Sequence, residues 1–413
     1  MPLLAGAARA NITPLEEGIA TQLGGYGERQ GRPAEGIHDR IRAKALVFEW
    51  EGRRSALVSL DVCHAPRCLV EEAIEKAGVT GLSYENVLMA ASHDHAGLEG
   101  MSMDRRNIAG NPNVGIFDEA VLDFVSGRLA QALRDAAAAM RPVRAGAAVT
   151  QLPGMNQNRR HDGAPTDTGL TVLRIDNDDG SPFVLLANYT AHGTIMTADI
   201  MHISGGWPGV MQRTVEDLMD GGCACMFTNG AEGDVAPAAY HGASRWEMAE
   251  GYGRRVGIAV ARLAESITTR PVEQFGVWSH WVDLPKRKPA PEFMKIAGDE
   301  YAVNEEQLTM LLGAMFPASA PLYALRVDGF LLLTFPGEPI TAIGLAAKER
   351  LREKGVPFPA VAALTNDLIG YILTEDEYHQ SGYEVTASFY GPTLGACVLD
   401  GVNTFIDTLG KPG

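Results

Sequence analysis

A chain of 413 residues, 46% hydrophobic and 21% charged, has the composition of a globular protein with ample core. Its formal net charge of −16 argues against nucleic acid and anionic membrane surfaces, both of which call for basic patches. No run approaches the ~18 apolar residues needed to cross a bilayer, and residues 1–9 lack the basic-then-apolar pattern of a leader. The five cysteines include no CxxC pair, so a cytoplasmic protein with reduced thiols is expected.

In chain order, residues 43–50 and 55–61 read as strands separated by a Glu51-Gly52 turn. The apolar run 86–91 (NVLMAA) reads as another and ends in Ser92-His93-Asp94-His95. Residues 118–141 predict a helix, with Asp118 as N-cap and Val121, Leu122, Val125, Leu129 and Leu133 on one face. The run 183–189 (FVLLANY) leads into Thr190-Ala191-His192, and the apolar 225–227 leads into Asn229-Gly230-Ala231-Glu232-Gly233-Asp234. A second amphipathic helix is expected over 247–266. The Pro-rich, charged segment 284–291 marks an excursion around 284–303. Beyond it the spacing predicts a helix at 304–315, a strand at 330–335 (FLLLTF) running into Pro336-Gly337-Glu338, and a helix at 340–354. The apolar 361–364 precedes Asn366-Asp367-Leu368-Ile369-Gly370-Tyr371. The expected fold is α/β, a mixed β-sheet core covered by helices in one domain over 1–413. No repeat is visible.

Three apolar runs thus end in His93/His95, His192 and Glu338. Ligands of α/β proteins gather beyond the carboxyl ends of strands, and imidazole, imidazole and carboxylate form the ligand set of catalytic zinc sites. A metal-dependent hydrolase is expected. His93 and His95, two apart on a strand end, would point the same way. Ser204-Gly205-Gly206-Trp207-Pro208-Gly209, after His192, is a loop whose backbone can approach a ligand closely. Glu338 serves equally well as a helix cap in this reading, and 229–234 as an ordinary turn. Asp61, closing a strand, is a candidate to orient a ligand histidine. Cys63-His64 and Cys68 keep a thiol enzyme open as an alternative.

Read together, several segments resemble the neutral/alkaline, non-lysosomal ceramidase family. They are Ala7-Ala8-Arg9-Ala10-Asn11-Ile12-Thr13-Pro14, Gly24-Gly25-Tyr26-Gly27, Ser92-His93-Asp94-His95-Ala96-Gly97, Asn156-Gln157-Asn158-Arg159, Gly233-Asp234-Val235-Ala236-Pro237, Pro336-Gly337-Glu338-Pro339, Gly370-Tyr371, Gly382-Tyr383-Glu384 and Tyr390-Gly391-Pro392. The resemblance implies the family's catalytic-domain fold and one zinc ion held by His93, His192, Glu338 and Tyr371. It also implies that His95, Arg159 and Tyr383 surround the scissile amide, and that Asn158, Gly230 and Asp234 lie on the substrate side. Gly230 stands where the family has a serine. The family's additional C-terminal β domain is expected to be absent, since the chain ends soon after Tyr390-Gly391-Pro392.

The expected function is zinc-dependent hydrolysis of an amide bond in a soluble small or medium N-acyl substrate, with His95 as general acid because an ordinary imidazole titrates near working pH. True ceramidase activity, ester or lactone hydrolysis on the same metal, and a silent binding protein are the alternatives. The expected partner is a small molecule, with neither nucleic acid nor stable membrane association. Self-association into a homo-oligomer is left open.

Overall fold

The computed structural model describes residues 1–108, 110–219 and 222–409. Three units of the same topology follow one another along it. Unit 1 comprises β1 (Leu4–Asn11), β2 (Arg42–Trp50), β3 (Arg53–Leu60), α1 (Arg67–Ala77), β4 (Val87–Ala91) and α2 (Glu119–Ala138). Unit 2 comprises β5 (Arg141–Gln151), β6 (Gly169–Asn177), β7 (Pro182–Tyr189), α3 (Gly206–Leu218), β8 (Ala224–Asn229) and α4 (Arg245–Glu265). Unit 3 comprises β9 (Phe275–Asp283), then α5 (Glu305–Met315) within a long connection, β10 (Ser319–Val327), β11 (Phe330–Thr334), α6 (Thr341–Glu353), β12 (Phe358–Ala362) and α7 (Leu394–Thr408).

In every unit the first three strands pair antiparallel, a helix follows, and the fourth strand pairs parallel to the third. A helix pair then packs together on each unit: α1 with α2, α3 with α4, α6 with α7. Units 1 and 2 join into one sheet of order β8-β7-β6-β5-β1-β2-β3-β4, with Arg270–Pro271 as a short ninth strand on β5. The junction is narrow, Leu4↔Pro142 and Ala5↔Arg141. Unit 3 forms its own sheet, β9-β10-β11-β12.

The mixed β-sheet core covered by helices is as expected, and a repeat stands where none was visible. The physical reason is that corresponding strands share burial, not residues. One face of each sheet contributes to a common core, including Leu46, Phe48, Leu57, Leu88, Val184, Leu186, Leu325, Phe330, Leu332 and Ala360. The opposite faces are covered by each unit's own helices. Strands buried on both faces read as unbroken apolar runs.

The expected helix boundaries shift by a few residues. Asp118 caps α2 by accepting from the Ala120 N–H at 2.9 Å, Ser244 caps α4, and Asn304 with Gln307 forms a reciprocal capping box on α5. The excursion is longer than 284–303. It includes α5 and returns to the sheet only at Ser319. Among the described residues no helix is long and apolar enough to cross a membrane.

Candidate active site

The loops beyond the third and fourth strands of all three units converge. The loop after β4 carries His93 and His95, the loop after β7 carries His192, and the loop after β11 carries Glu338. Tyr371 follows β12 and is tied to Glu338 by a short parallel pairing, Glu338↔Tyr371 and Pro339↔Ile372. The donor atoms of His93, His192 and Glu338 all lie within 4.8 Å of one another.

The orientation of each imidazole is fixed from behind by a main-chain carbonyl. His93 Nδ1–H donates to the Cys63 carbonyl at 3.0 Å, and His192 Nδ1–H donates to the Glu232 carbonyl at 2.6 Å. Both Nε2 atoms are left bare and face the same oxygen, Glu338 Oε2, at 3.3 and 3.2 Å. That oxygen has no hydrogen-bond donor among the described residues. Burial pushes His192 down to about 3. Two unprotonated nitrogens and a carboxylate oxygen at such spacing repel one another unless a cation lies among them. The residues present therefore fit a divalent metal ion, with ring N–H groups anchored to carbonyls as metal-binding histidines have them. The Tyr371 hydroxyl lies 3.3 Å from His192 Nε2 and accepts from Arg159 at 2.8 Å.

His93 and His95 do converge, but not by strand alternation. β4 ends at Ala91, and His93 has φ of 60°, a left-handed conformation that costs a non-glycine residue about 1–2 kcal/mol. The turn it makes brings His95 Nε2 to 3.3 Å from His93 Nε2. Burial, together with His93 and His192, pushes His95 well below the usual histidine range, so the case for a general acid with an ordinary pKa does not hold. Its Nδ1 has no partner among the described residues.

Arg159 reaches the site from the connection between β5 and β6. It ion-pairs with Glu384 at 2.8 Å and donates to the Gly233 carbonyl at 3.0 Å. Tyr383 exchanges a hydrogen bond with Tyr301 at 2.7 Å, and burial raises its phenol so that it keeps its proton.

One other expectation is corrected, and three substrate-side candidates sit outside the cavity lining. Asp61 touches no ligand histidine; it accepts from Gln212 at 2.8 Å and from the Arg42 N–H at 3.0 Å, so the orienting groups are carbonyls. Asn158, Gly230 and Asp234 do not line the cavity described below. Asp234 accepts from the Thr341 N–H and hydroxyl at 2.7 Å and from Asn158 at 2.8 Å, bracing the loop that presents Arg159. Gly230 is packed against Thr190: a Cβ there would come within 2.0 Å of Thr190 Oγ1, so the threonine hydroxyl fills the space a serine would need.

His93, His95, Arg159, Glu338, Tyr371 and Tyr383 line a cavity of about 410 Å³, within the ordinary size range of small-molecule pockets. The three connections between first and second strands all line it: Gly25, Tyr26 and Gly27 from unit 1, Arg159 from unit 2, and the 284–318 connection from unit 3. That last connection makes an apolar arm of Phe293, Val303, Leu308, Leu311, Leu312, Met315 and Phe316. Tyr26, Cys63, His64 and Glu99 also face the cavity, and of these only Cys63-His64 drew attention as chemistry in the sequence. Their signal is positional: Cys63 follows the end of β3 as His192 follows β7. Burial raises the Cys63 thiol well above its ordinary value, which argues against a thiolate nucleophile. Cys68 lies outside the cavity lining.

The model for the neutral/alkaline non-lysosomal ceramidase N-terminal region matches residues 3–246. Neutral ceramidase A of Dictyostelium discoideum is 28% identical over 246 residues, covering 53% of this chain and 34% of that protein. Neutral ceramidase B of the same organism is 29% identical over 227 residues, covering 49% and 31%. The matched stretch thus spans about a third of the length of these curated relatives. In fold, the crystal structure of neutral ceramidase from Pseudomonas aeruginosa is similar, with a TM-score of 0.79 at 21% identity over 100% of this chain and 76% of that one. The family-model match ends before unit 3, the source of Glu338, Tyr371 and Tyr383.

Proposed function

Because the chain belongs to the neutral/alkaline non-lysosomal ceramidase family, we propose that it is a zinc-dependent hydrolase cleaving the amide bond of an N-acyl substrate with a long apolar acyl chain. One observation carries this reading: two imidazole nitrogens and a carboxylate oxygen meet beside a cavity that His93 and Glu338 line together with Leu308, Leu311, Leu312, Met315 and Phe316. A soluble small or medium substrate leaves that arm unfilled. An acyl chain gains roughly 0.8 kcal/mol for each methylene it buries there. The matched relatives are named neutral ceramidases, which makes ceramide the natural first substrate to test.

His93, His192, Glu338 and Tyr371 would hold the ion. Zinc in such a set lowers the pKa of water toward neutrality and polarises a carbonyl. The chain's own residues do the rest. Arg159, pinned by Glu384 and the Gly233 carbonyl, presents a fixed positive charge to the oxyanion that develops when the amide carbonyl is attacked. Tyr383 keeps its proton and adds a hydroxyl donor near the same atom. His95 lines the cavity with a ring nitrogen free of partners among the described residues, the position from which an acid–base group would move a proton from the attacking water to the leaving nitrogen.

The test is metal content by elemental mass spectrometry beside hydrolysis of N-acyl amines of graded chain length, ceramide included, followed as released fatty acid. About one zinc per chain, lost together with hydrolysis in His93→Ala, supports the reading. Undiminished hydrolysis after complete chelation would overturn it.

A further inference from the structure

Unit 1 holds donors that the His93–His192–Glu338 arrangement does not use. Cys63 lies three residues past the end of β3, as His192 lies three past β7 and Glu338 four past β11. It faces the same cavity. The donor atoms of Cys63, His93 and His95 all lie within 4.8 Å of one another. His95 is only 6% exposed, lines the cavity, and has a ring nitrogen with no partner among the described residues. A buried thiol beside two imidazoles is a soft donor set, distinct in character from two imidazoles and a carboxylate.

We propose that Cys63, His93 and His95 form a second ion position, suited to a thiophilic cation such as Cd2+ or Cu+, which competes with the first. The competition follows from His93. Its Nδ1–H is committed to the Cys63 carbonyl, so a single ring nitrogen serves both sets. An ion seated on the thiol side draws that nitrogen away from Glu338 and His192. Binding breaks the Cys63 S–H bond, forms a sulfur–metal bond and releases the proton to solvent. The inference rests on the proposed zinc site only for the competition; the thiol position stands by itself.

The protein carrying its resident metal is titrated with Cd2+ alone. Wild type is expected to gain a thiolate-to-cadmium charge-transfer absorption saturating at one equivalent per chain, while the resident ion appears in the filtrate. Cys63→Ser and Cys63→Ala are expected to lose the band and keep the resident ion at the same Cd2+ concentration. Cys68→Ser should behave as wild type, because the Cys68 thiol donates to the Met103 carbonyl at 3.1 Å, outside the cavity lining. Glu338→Gln separates the two readings: it should lose the resident metal yet still give the cadmium band. A full band in Cys63→Ser, or none in folded wild type, overturns the thiol position. A band that forms with the resident ion still bound overturns the competition. Metal retained by Glu338→Gln counts against the first site and leaves the second standing.

Discussion

Gly25 sits against the His95 ring so closely that a Cβ built on it would come within 2.1 Å of His95 Nδ1. Its φ of +86° is likewise a conformation that L side chains rarely adopt. The glycine therefore sets where His95 can lie. Gly25→Ala should displace the imidazole without touching His93, His192 or Glu338. The expected result is a fall in kcat of about 100-fold, the order of loss from a misplacement near 1 Å, with metal content unchanged. An unchanged kcat would show that this contact does not position His95.

His93→Ala and His95→Ala should part company. His93 presents Nε2 to the carboxylate, and its loss should weaken metal binding by more than the roughly 10–100-fold that follows loss of a group merely supporting a ligand. His95→Ala should keep the ion and lose turnover, at least the ~10²-fold that a positioned acid–base group supplies. Elemental analysis and kcat on the same preparations decide between them. Equal metal loss in both would make His95 a ligand.

The converging strand ends are legible in sequence because β4, β7 and β11 are buried on both faces and so read as unbroken apolar runs. The polar residue that follows such a run is conspicuous, as His93, His192 and Glu338 are. The repeat is not legible, since RPVRAGAAVTQ in β5 and FGVWSHWVD in β9 hold equivalent places with unrelated residues. Nor are the carbonyls of Cys63 and Glu232 that aim the histidines, because every residue has a carbonyl and only the folded path selects which two. Asp61 offers a side chain for that task, but the task falls to backbone. The apolar arm is hidden for another reason: Leu308, Leu311, Leu312 and Met315 have the spacing of an ordinary helix face, and only the fold turns that face to a cavity.

Arg29 is 2% exposed and donates to five carbonyls, among them Gly24 at 2.6 Å and His95 at 2.7 Å. It ties the Gly25 loop, the His95 loop and residues 197–200 together. Arg29→Ala strands several buried acceptors, each worth about 1–3 kcal/mol, so destabilisation of several kcal/mol is expected with turnover falling alongside. Arg29→Lys keeps the charge but loses the planar fork and should restore only part of it. Thermal unfolding at equal metal load measures both. A variant as stable as wild type would mean these carbonyls find other donors.

Asp39 anchors the start of α3, accepting from the Ser204 hydroxyl at 2.5 Å and from Arg213 at 2.8 Å. Burial alone would raise its carboxyl, but Arg213, His38, Ser204 and the Gly205 N–H hold it below the ordinary value. A pKa lowered on folding contributes stability that is complete above the unfolded value and lost as pH falls through the folded one. The stability difference between wild type and Asp39→Asn should therefore be full at neutral pH and shrink below about pH 4. Denaturant titrations across that window test it; a difference that stays constant with pH would assign the Asn variant's loss to packing.

The apolar arm should set chain length. Leu311 and Leu312 on α5 face it, and Met315 stands one turn further along. Met315→Trp adds bulk at a position only 3% exposed and shortens the space open to an acyl chain. Each methylene that no longer fits forfeits roughly 0.8 kcal/mol, or about fourfold in kcat/KM. The variant should hydrolyse short N-acyl amines at wild-type rates and fall behind progressively as the chain lengthens. The ratio of variant to wild-type kcat/KM plotted against chain length carries the answer. A uniform loss at every length would mean the tryptophan disturbs the metal end and not the arm. A flat ratio near unity would mean that the acyl chain leaves the cavity by another path, and the apolar arm would then have no part in choosing the substrate.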